Sequence, residues 1–405
     1  MLLAAGLVAC SSARADLPDA ASDTTITATV RATTTTRAPA TTTTSTTTTS
    51  TTTTSTTTTS TTTTAAPTTT QAPTPTEAPT TTTAAAAATP PVTDPVTGRI
   101  SLPTVDGAFG AIATGNPAAS ITIIRDHAVV YARASGSTLG GTPLTSDTPL
   151  VLASVSKLVT ALTIARLAER GEIDVSAPVP WDRLFVAHDP AWDDVTVREL
   201  LDHTAGMPKA QRSWLNEPGS CAIPLTAALA APPQSTRGRW TYSNGNYCAL
   251  GLLIEAITGS GRDAAADVLV FDPIGITGPH LTTARPAPMD GPYLQGVARL
   301  ERLGGAGTWM ASTDDIAGML DSITADDLAT LQFPGIITDQ YGWGHTGTVD
   351  GAKSCAWVME AGRTVAVATV SGNKPVTGGT ICDLVVPSIA ADLGFWAGKP
   401  VRIPD

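Results

Sequence analysis

Apolar residues change their spacing several times along this chain, and each change marks an element. Ser120-Ile121-Thr122-Ile123-Ile124 and Ala128-Val129-Val130-Tyr131-Ala132 are β-branched runs on either side of Arg125-Asp126-His127, which predicts a hairpin. Thr148-Pro149-Leu150-Val151-Leu152-Ala153 leads into Ser154, after which Val155, Leu158, Leu162, Ala165 and Leu167 recur at helical spacing up to Gly171. Residues 172–310 read as mainly helical segments and loops. One helix runs from Val197 to Asp202 into His203-Thr204-Ala205-Gly206, and another from Tyr247 to Ile257, closed by Gly259. Strand-like runs return at His345–Val349, Ser354–Glu360 and Arg363–Ser371, the last two joined by Ala361-Gly362. A final helix is expected near Ile381–Leu393, distorted by Pro387. Two strands early, three late and helices between predict an α+β fold. Its antiparallel five-stranded sheet is flanked by terminal helices and interrupted by a mainly helical insertion at about 172–310. A cleft between sheet and insertion is the natural site.

The pattern fails altogether at residues 22–95, a Thr-dominated tract with Ala and Pro. Such a stretch buries too little apolar surface to offset its ordering entropy. Residues 11–95 are therefore expected to form a disordered tether, and 96–405 one folded domain. Met1 to Ala9 is apolar and ends in Leu7-Val8-Ala9-Cys10. It resembles a bacterial lipobox within a signal peptide, with Cys10 the lipidated residue. No basic residue precedes the run, so a signal here would be truncated at its start. The expected location is outside the cytosol, anchored by lipid or secreted, facing the cell wall.

Net charge is −11, and no basic patch suggests nucleic acid. Membrane contact is expected only through the lipid anchor, and the domain is expected to act as a monomer. Setting Cys10 aside, Cys221, Cys248, Cys355 and Cys382 form an even set in a chain expected to be exported. Of the three pairings they allow, the local ones, Cys221–Cys248 and Cys355–Cys382, are favoured by proximity. None has the spacing or His neighbours of a zinc site, and no metal or other cofactor is expected.

Three short strings carry the chemistry: Ser154-Val155-Ser156-Lys157, Tyr242-Ser243-Asn244 and His345-Thr346-Gly347. Residues 154 and 157, three apart at a helix start, share one face. A serine hydroxyl needs a neighbour to take its proton, and lysine does so only when its pKa is depressed. Ser371-Gly372-Asn373-Lys374 also fits the first spacing, but its Gly, Asn and following Pro375 read as a turn. Tyr242 is placed to relay the Ser154 proton to a leaving group, and Asn244 to orient Lys157 and a substrate carbonyl. In the third string Gly347 admits close backbone approach, Thr346 can donate to an anionic group and His345 supplies a polar head. The backbone N–H groups of Ser154 and Thr348 are the expected oxyanion hole.

In this order the strings resemble the serine β-lactamase and penicillin-binding protein superfamily. The likeness is to the branch with class C β-lactamases, D-alanyl-D-alanine carboxypeptidases, esterases and D-aminopeptidases. Leu200-Leu201-Asp202-His203-Thr204-Ala205-Gly206-Met207-Pro208 and Gly304-Gly305-Ala306-Gly307-Thr308-Trp309-Met310-Ala311-Ser312-Thr313-Asp314-Asp315 match further landmarks. The resemblance covers roughly 105–395 and implies a β-lactamase/transpeptidase-like fold. It makes Ser154, Lys157 and Tyr242 catalytic and has Asn244, His345 and Thr346 line the site. His203 falls on a structural landmark and reads as a loop-fixing residue. The resemblance also implies two departures. Class C β-lactamases usually carry Lys where His345 stands. The strand usual before the third string is missing, because Tyr341-Gly342-Trp343-Gly344 runs straight into it. Residues 314–344 also hold no Lys or Arg to bind a terminal carboxylate, leaving Lys353, Arg299 or Arg302 as substitutes. A D-alanyl-D-alanine carboxypeptidase-like serine hydrolase acting on cell-wall peptides is the first expectation. A β-lactamase, an esterase or a D-aminopeptidase comes next, and a non-catalytic penicillin-sensing or wall-binding module is the alternative of another class.

Overall fold

The computed structural model describes residues 100–395, apart from 139, 210–211, 216–218, 283–299, 325–326, 328–336, 373 and 375–376. Cys10, the expected tether and Arg299 lie outside the described residues.

Helix α1 (Pro103–Ala113) precedes the hairpin of β1 (Ala118–Arg125) and β2 (Ala128–Gly136). Asp126 and His127 turn that hairpin in left-handed conformations, with φ of 51° and 63°, as a tight two-residue hairpin turn requires. A two-residue strand β3 (Leu150–Val151) and one tight turn then lead into α2 (Ser156–Glu169). Next come α3 (Val197–Leu201), α4 (Ala222–Leu229), α5 (Asn244–Thr258) and α6 (Arg262–Ala266). Strands β4 (His280–Leu281) and β5 (Trp309–Ala311), helix α7 (Thr313–Asp321) and strand β6 (Ile337–Thr338) follow. The chain closes with β7 (Gly342–Val349), β8 (Ala352–Met359), β9 (Thr364–Ser371) and α8 (Gly378–Leu393).

The main sheet is antiparallel throughout, in the order β2-β1-β9-β8-β7-β6. It has six strands where the pattern predicts five. The sixth, β6, pairs only Ile337 with Gly344 and Thr338 with Trp343. Two residues are too few to show alternation, so no periodicity betrays this strand. It supplies the strand that the sequence reading found missing before the third string. A second sheet, β3-β5-β4, joins the helical insertion to the main body and was likewise invisible in strands of two or three residues.

Alternation along the central strands divides the core in two. Val365 and Val367 face a cluster that holds α2, α5 and α7, whereas Ala366, Ala368 and Val370 face α1 and α8. Both local cysteine pairs are disulfides, Cys221–Cys248 joining the start of α4 to α5 and Cys355–Cys382 joining β8 to α8. Pro387 lies within α8, whose start at Gly378 is three residues earlier than the pattern gave.

Where β7 crosses the turn before α2, the two backbones touch. A Cβ on Gly347 would overlap the Leu152 carbonyl and Ser354 Oγ, and would lie 3.1 Å from Ala153 Cβ. Ser354 Oγ in turn donates to the Leu152 carbonyl at 2.6 Å. Gly347 is therefore required by space rather than by φ. We predict that Gly347→Ala lowers the unfolding free energy by about 1–3 kcal/mol, the usual cost of forcing extra atoms into a packed site. Urea denaturation measures this, and an unchanged midpoint would contradict it.

Candidate active site

The turn into α2 presents Ser154. Ala153, fully buried, adopts φ +48°, a left-handed conformation that a non-glycine residue holds only under strong constraint. That constraint is visible on both sides: Leu152 N–H donates to the Trp309 carbonyl at 3.0 Å, and Ser156 Oγ accepts the Trp309 N–H at 3.1 Å. Ser154 stays partly exposed while its neighbours are buried. Helix α2 begins at Ser156, two residues later than the pattern gave, because this turn is wound more tightly than a helix.

Lys157, one turn on, is 1% exposed. Its Nζ lies 3.2 Å from Ser154 Oγ, 2.8 Å from Asn244 Oδ1 and 2.7 Å from the Ala306 carbonyl. Tyr242 Oη is 2.8 Å from Ser154 Oγ and 3.3 Å from Asn244 Oδ1. Ser243 caps α5, its Oγ accepting the Gly245 N–H, so Tyr242 ends the approach segment and Asn244 begins the helix. The first two strings thus meet within hydrogen-bond range of one another.

The third string lies alongside. The His345 ring centroid is 6.2 Å from that of Tyr242. Gly347 touches the Ser154 turn as described, and by strand alternation His345 points to that same face. Thr346 is half-buried and Thr348 exposed, on the opposite face. The β7–β8 register pairs Val349 with Ala352 and Thr348 with Lys353 across the Asp350-Gly351 turn. Pairs alternate between bonded and non-bonded in such a hairpin, which turns the Thr348 N–H away from β8 toward the edge beside Ser154. Two surface hollows, one beside Leu167, Arg170 and Val268 and one beside Phe185 and His188, contain no residue of the three strings.

The family model for Beta-lactamase matches residues 105–390. The chain belongs to the beta-lactamase family. Curated relatives include the esterase EstB of Burkholderia gladioli, 31% identical over 44% of this chain and 50% of that protein. Another is a Salmonella gallinarum protein named as a D-alanyl-D-alanine carboxypeptidase, 27% identical over 41% of this chain and 43% of that one. The chain thus spans half or less of these relatives' length. Among solved structures, the D-amino acid amidase of Ochrobactrum anthropi aligns with TM-score 0.60 over 71% of this chain and 99% of that one, at 18% identity. The likeness establishes the shared fold.

Burial sets the electrostatics of this beta-lactamase-family site. It drives the Lys157 pKa well below the usual lysine range. Among the described residues, no carboxylate forms an ion pair with Lys157 to oppose that shift. A neutral amine has two N–H groups and one lone pair. In the neutral form Asn244 Oδ1 and the Ala306 carbonyl would take the two N–H groups and the lone pair would face Ser154 Oγ, to which the charged amine donates. Burial also pushes Tyr242 up to about 12, although the bond to Ser154 opposes it, so the phenol keeps its proton. In the free enzyme Lys157 is thus the group suited to accept the serine proton. The sequence leaves both groups as candidates to take that proton; Tyr242, which keeps its own, is suited to donate.

The two histidines near the site hold opposite tautomers. His345 Nδ1 donates to the Thr346 carbonyl at 2.6 Å, leaving its buried Nε2 a lone pair with no hydrogen-bond partner. Burial, the largest cause, lowers the His345 pKa to about 3, so the ring is neutral. His203 Nδ1 accepts from Asn246 Nδ2 at 2.8 Å and from the Ser243 N–H at 3.3 Å, so its proton sits on Nε2. Its ring centroid is 4.7 Å from that of Tyr242, and its carbonyl accepts the Thr241 N–H at 2.8 Å. His203 therefore grips the residues on both sides of Tyr242.

Sequence reasoning missed one participant, the Ala306 carbonyl. Its string, Gly304-Gly305-Ala306-Gly307, was noticed only as a landmark, since a main-chain acceptor leaves no side-chain signature. For the proton acceptor we predict a pH profile for ester cleavage that rises as Lys157 loses its proton. That acid limb persists at lower amplitude in Tyr242→Phe. If Tyr242→Phe removes the limb, the phenol rather than the amine is the base.

Proposed function

We propose that the chain is a serine hydrolase working through an acyl-enzyme on Ser154. The convergence of Ser154 Oγ, Lys157 Nζ and Tyr242 Oη within 3.2 Å of the serine oxygen carries this reading. In the proposed cycle Lys157 accepts the Ser154 proton as Oγ attacks an acyl carbon. The developing oxyanion meets the N–H groups of Ser154 and Thr348. The Tyr242 phenol donates to the departing group and recovers a proton from the Lys157 side through Asn244-ordered contacts. Water then cleaves the acyl-enzyme by the reverse of these transfers.

The substrate we propose is a small ester or an amide, D-aminoacyl compounds included, whose leaving group carries no carboxylate. The neutral ring of His345 supports this, because a carboxylate there would face a lone pair rather than a cation. The absence of Lys and Arg from residues 314–344 supports it as well. Carboxypeptidase action on D-alanyl-D-alanine peptides, the first expectation from sequence, is the second reading, and the Salmonella gallinarum relative favours it. We also propose an exported setting, supported by two disulfides.

The test is fluorophosphonate labelling of the intact chain beside Ser154→Ala, followed by turnover of ester, D-amino acid amide, D-alanyl-D-alanine and β-lactam panels. We predict labelling only when Ser154 is present, and esters or amides cleaved faster than carboxylate-ended peptides. Equal labelling of Ser154→Ala would remove the nucleophile. A long-lived penicillin adduct with release of D-alanine would establish the second reading instead.

A further inference from the structure

Of the two disulfides, only one touches the machinery around Lys157. The carbonyl that takes a Lys157 N–H belongs to Ala306, at the end of a turn spanning Leu300–Ala306. That turn is not an ordinary helical turn. Gly304 sits at φ 53°, ψ −134° and breaks the winding. A Cβ on Gly304 would overlap Cys221 Sγ and lie 3.6 Å from Cys248 Cα. The next residue is held as tightly: a Cβ on Gly305 would come within 2.5 Å of the Tyr247 carbonyl and 3.1 Å of Thr160 Oγ1. Thr160 Oγ1 donates to the Gly305 carbonyl at 2.7 Å. On the other side of the contact, a Cβ on Gly251 would come within 2.9 Å of the Gly305 N.

The cross-link therefore sits directly against a turn whose end, two residues on, holds the catalytic amine. Its Cys248 half lies on α5, one helical turn beyond Asn244, the second acceptor of Lys157. Cys221 ties α4 to that same point. We infer that the Cys221–Cys248 disulfide is a positioning element for Lys157, seating the Gly304–Ala306 turn and the start of α5 so that both acceptors of its N–H groups stay in place. The inference rests on the proposed role of Lys157 as the base acting on Ser154.

The molecule contains its own control. Cys355–Cys382 closes a loop with the same sequence separation, 27 residues, so each cross-link constrains the unfolded chain to a similar degree. Yet Cys355 and Cys382 pack in the cluster with α1 and α8, on the far side of the sheet from Lys157. The experiment compares Cys221→Ala/Cys248→Ala with Cys355→Ala/Cys382→Ala in the full chain, using the second-order rate of fluorophosphonate labelling at Ser154 across pH.

The first pair should label roughly 10- to 100-fold more slowly, as expected when a catalytic group is displaced by about 1 Å. Its acid limb should move to higher pH as water reaches the loosened amine. The second pair should melt lower while labelling far closer to the rate of the intact chain than the first pair does, because Cys355 and Cys382 pack against α1 and α8 and touch neither acceptor of Lys157. In a Lys157→Ala background the first pair should cause no further loss. An unmoved acid limb, equal losses in both pairs, or a full additional loss in the Lys157→Ala background would overturn the inference. Should the first pair fail to fold, Gly304→Ala on the oxidised chain makes the same test, because its Cβ would displace the turn from Cys221. Absence of labelling in the intact chain at every pH would overturn the hydrolase reading and this inference together.

Discussion

The site depends on one constraint: an amine buried to 1% exposure with only neutral oxygens to receive its protons. In water a lysine is a cation and useless as a base. With no carboxylate paired to it among the described residues, its charged form loses hydration that two dipolar acceptors do not replace. That shift favours the neutral amine, whose third contact is Ser154 Oγ at 3.2 Å, a hydroxyl partly open to solvent. The tilt of reactivity toward Ser154 thus follows from packing.

That packing is assembled from separate parts of the chain. The turn into α2 supplies Ser154 and α2 itself Lys157, the start of α5 supplies Asn244, and the Leu300–Ala306 turn supplies a carbonyl. β7 closes the far side, where Gly347 lets the strand lie on the Leu152–Ala153 backbone. His203 holds the remaining piece, the segment bearing Tyr242, through Thr241, Ser243 and Asn246. It spends a left-handed backbone at φ 56° to do so, the kind of local strain that packed surroundings must sustain.

How much of this was legible in the sequence varied with how the information is carried. Strands eight residues long, such as β8 and β9, announce themselves through β-branched runs. β6, β3 and β4, two residues each, are fixed by partners distant in the chain and leave no pattern. The strings at Ser154, Tyr242 and His345 were readable because side-chain chemistry needs particular residue types. Which group holds a proton was not readable, since it depends on burial. For that reason the sequence leaves both the amine and the phenol as candidates to take the Ser154 proton. The Ala306 carbonyl was illegible for a related cause: any residue could supply it, and only the glycines beside it hint at close approach.

The central claim is a protonation state, and it can be measured directly. The chain has five lysines, Lys157, Lys209, Lys353, Lys374 and Lys399, few enough for each side-chain resonance to be assigned by NMR after isotopic labelling of lysine. Titrated against pH, the resonance that disappears in Lys157→Arg should pass from charged to neutral far below the ordinary lysine value of about 10.4. A Lys157 that stays charged until that ordinary value would contradict the account, because no base would then stand beside Ser154.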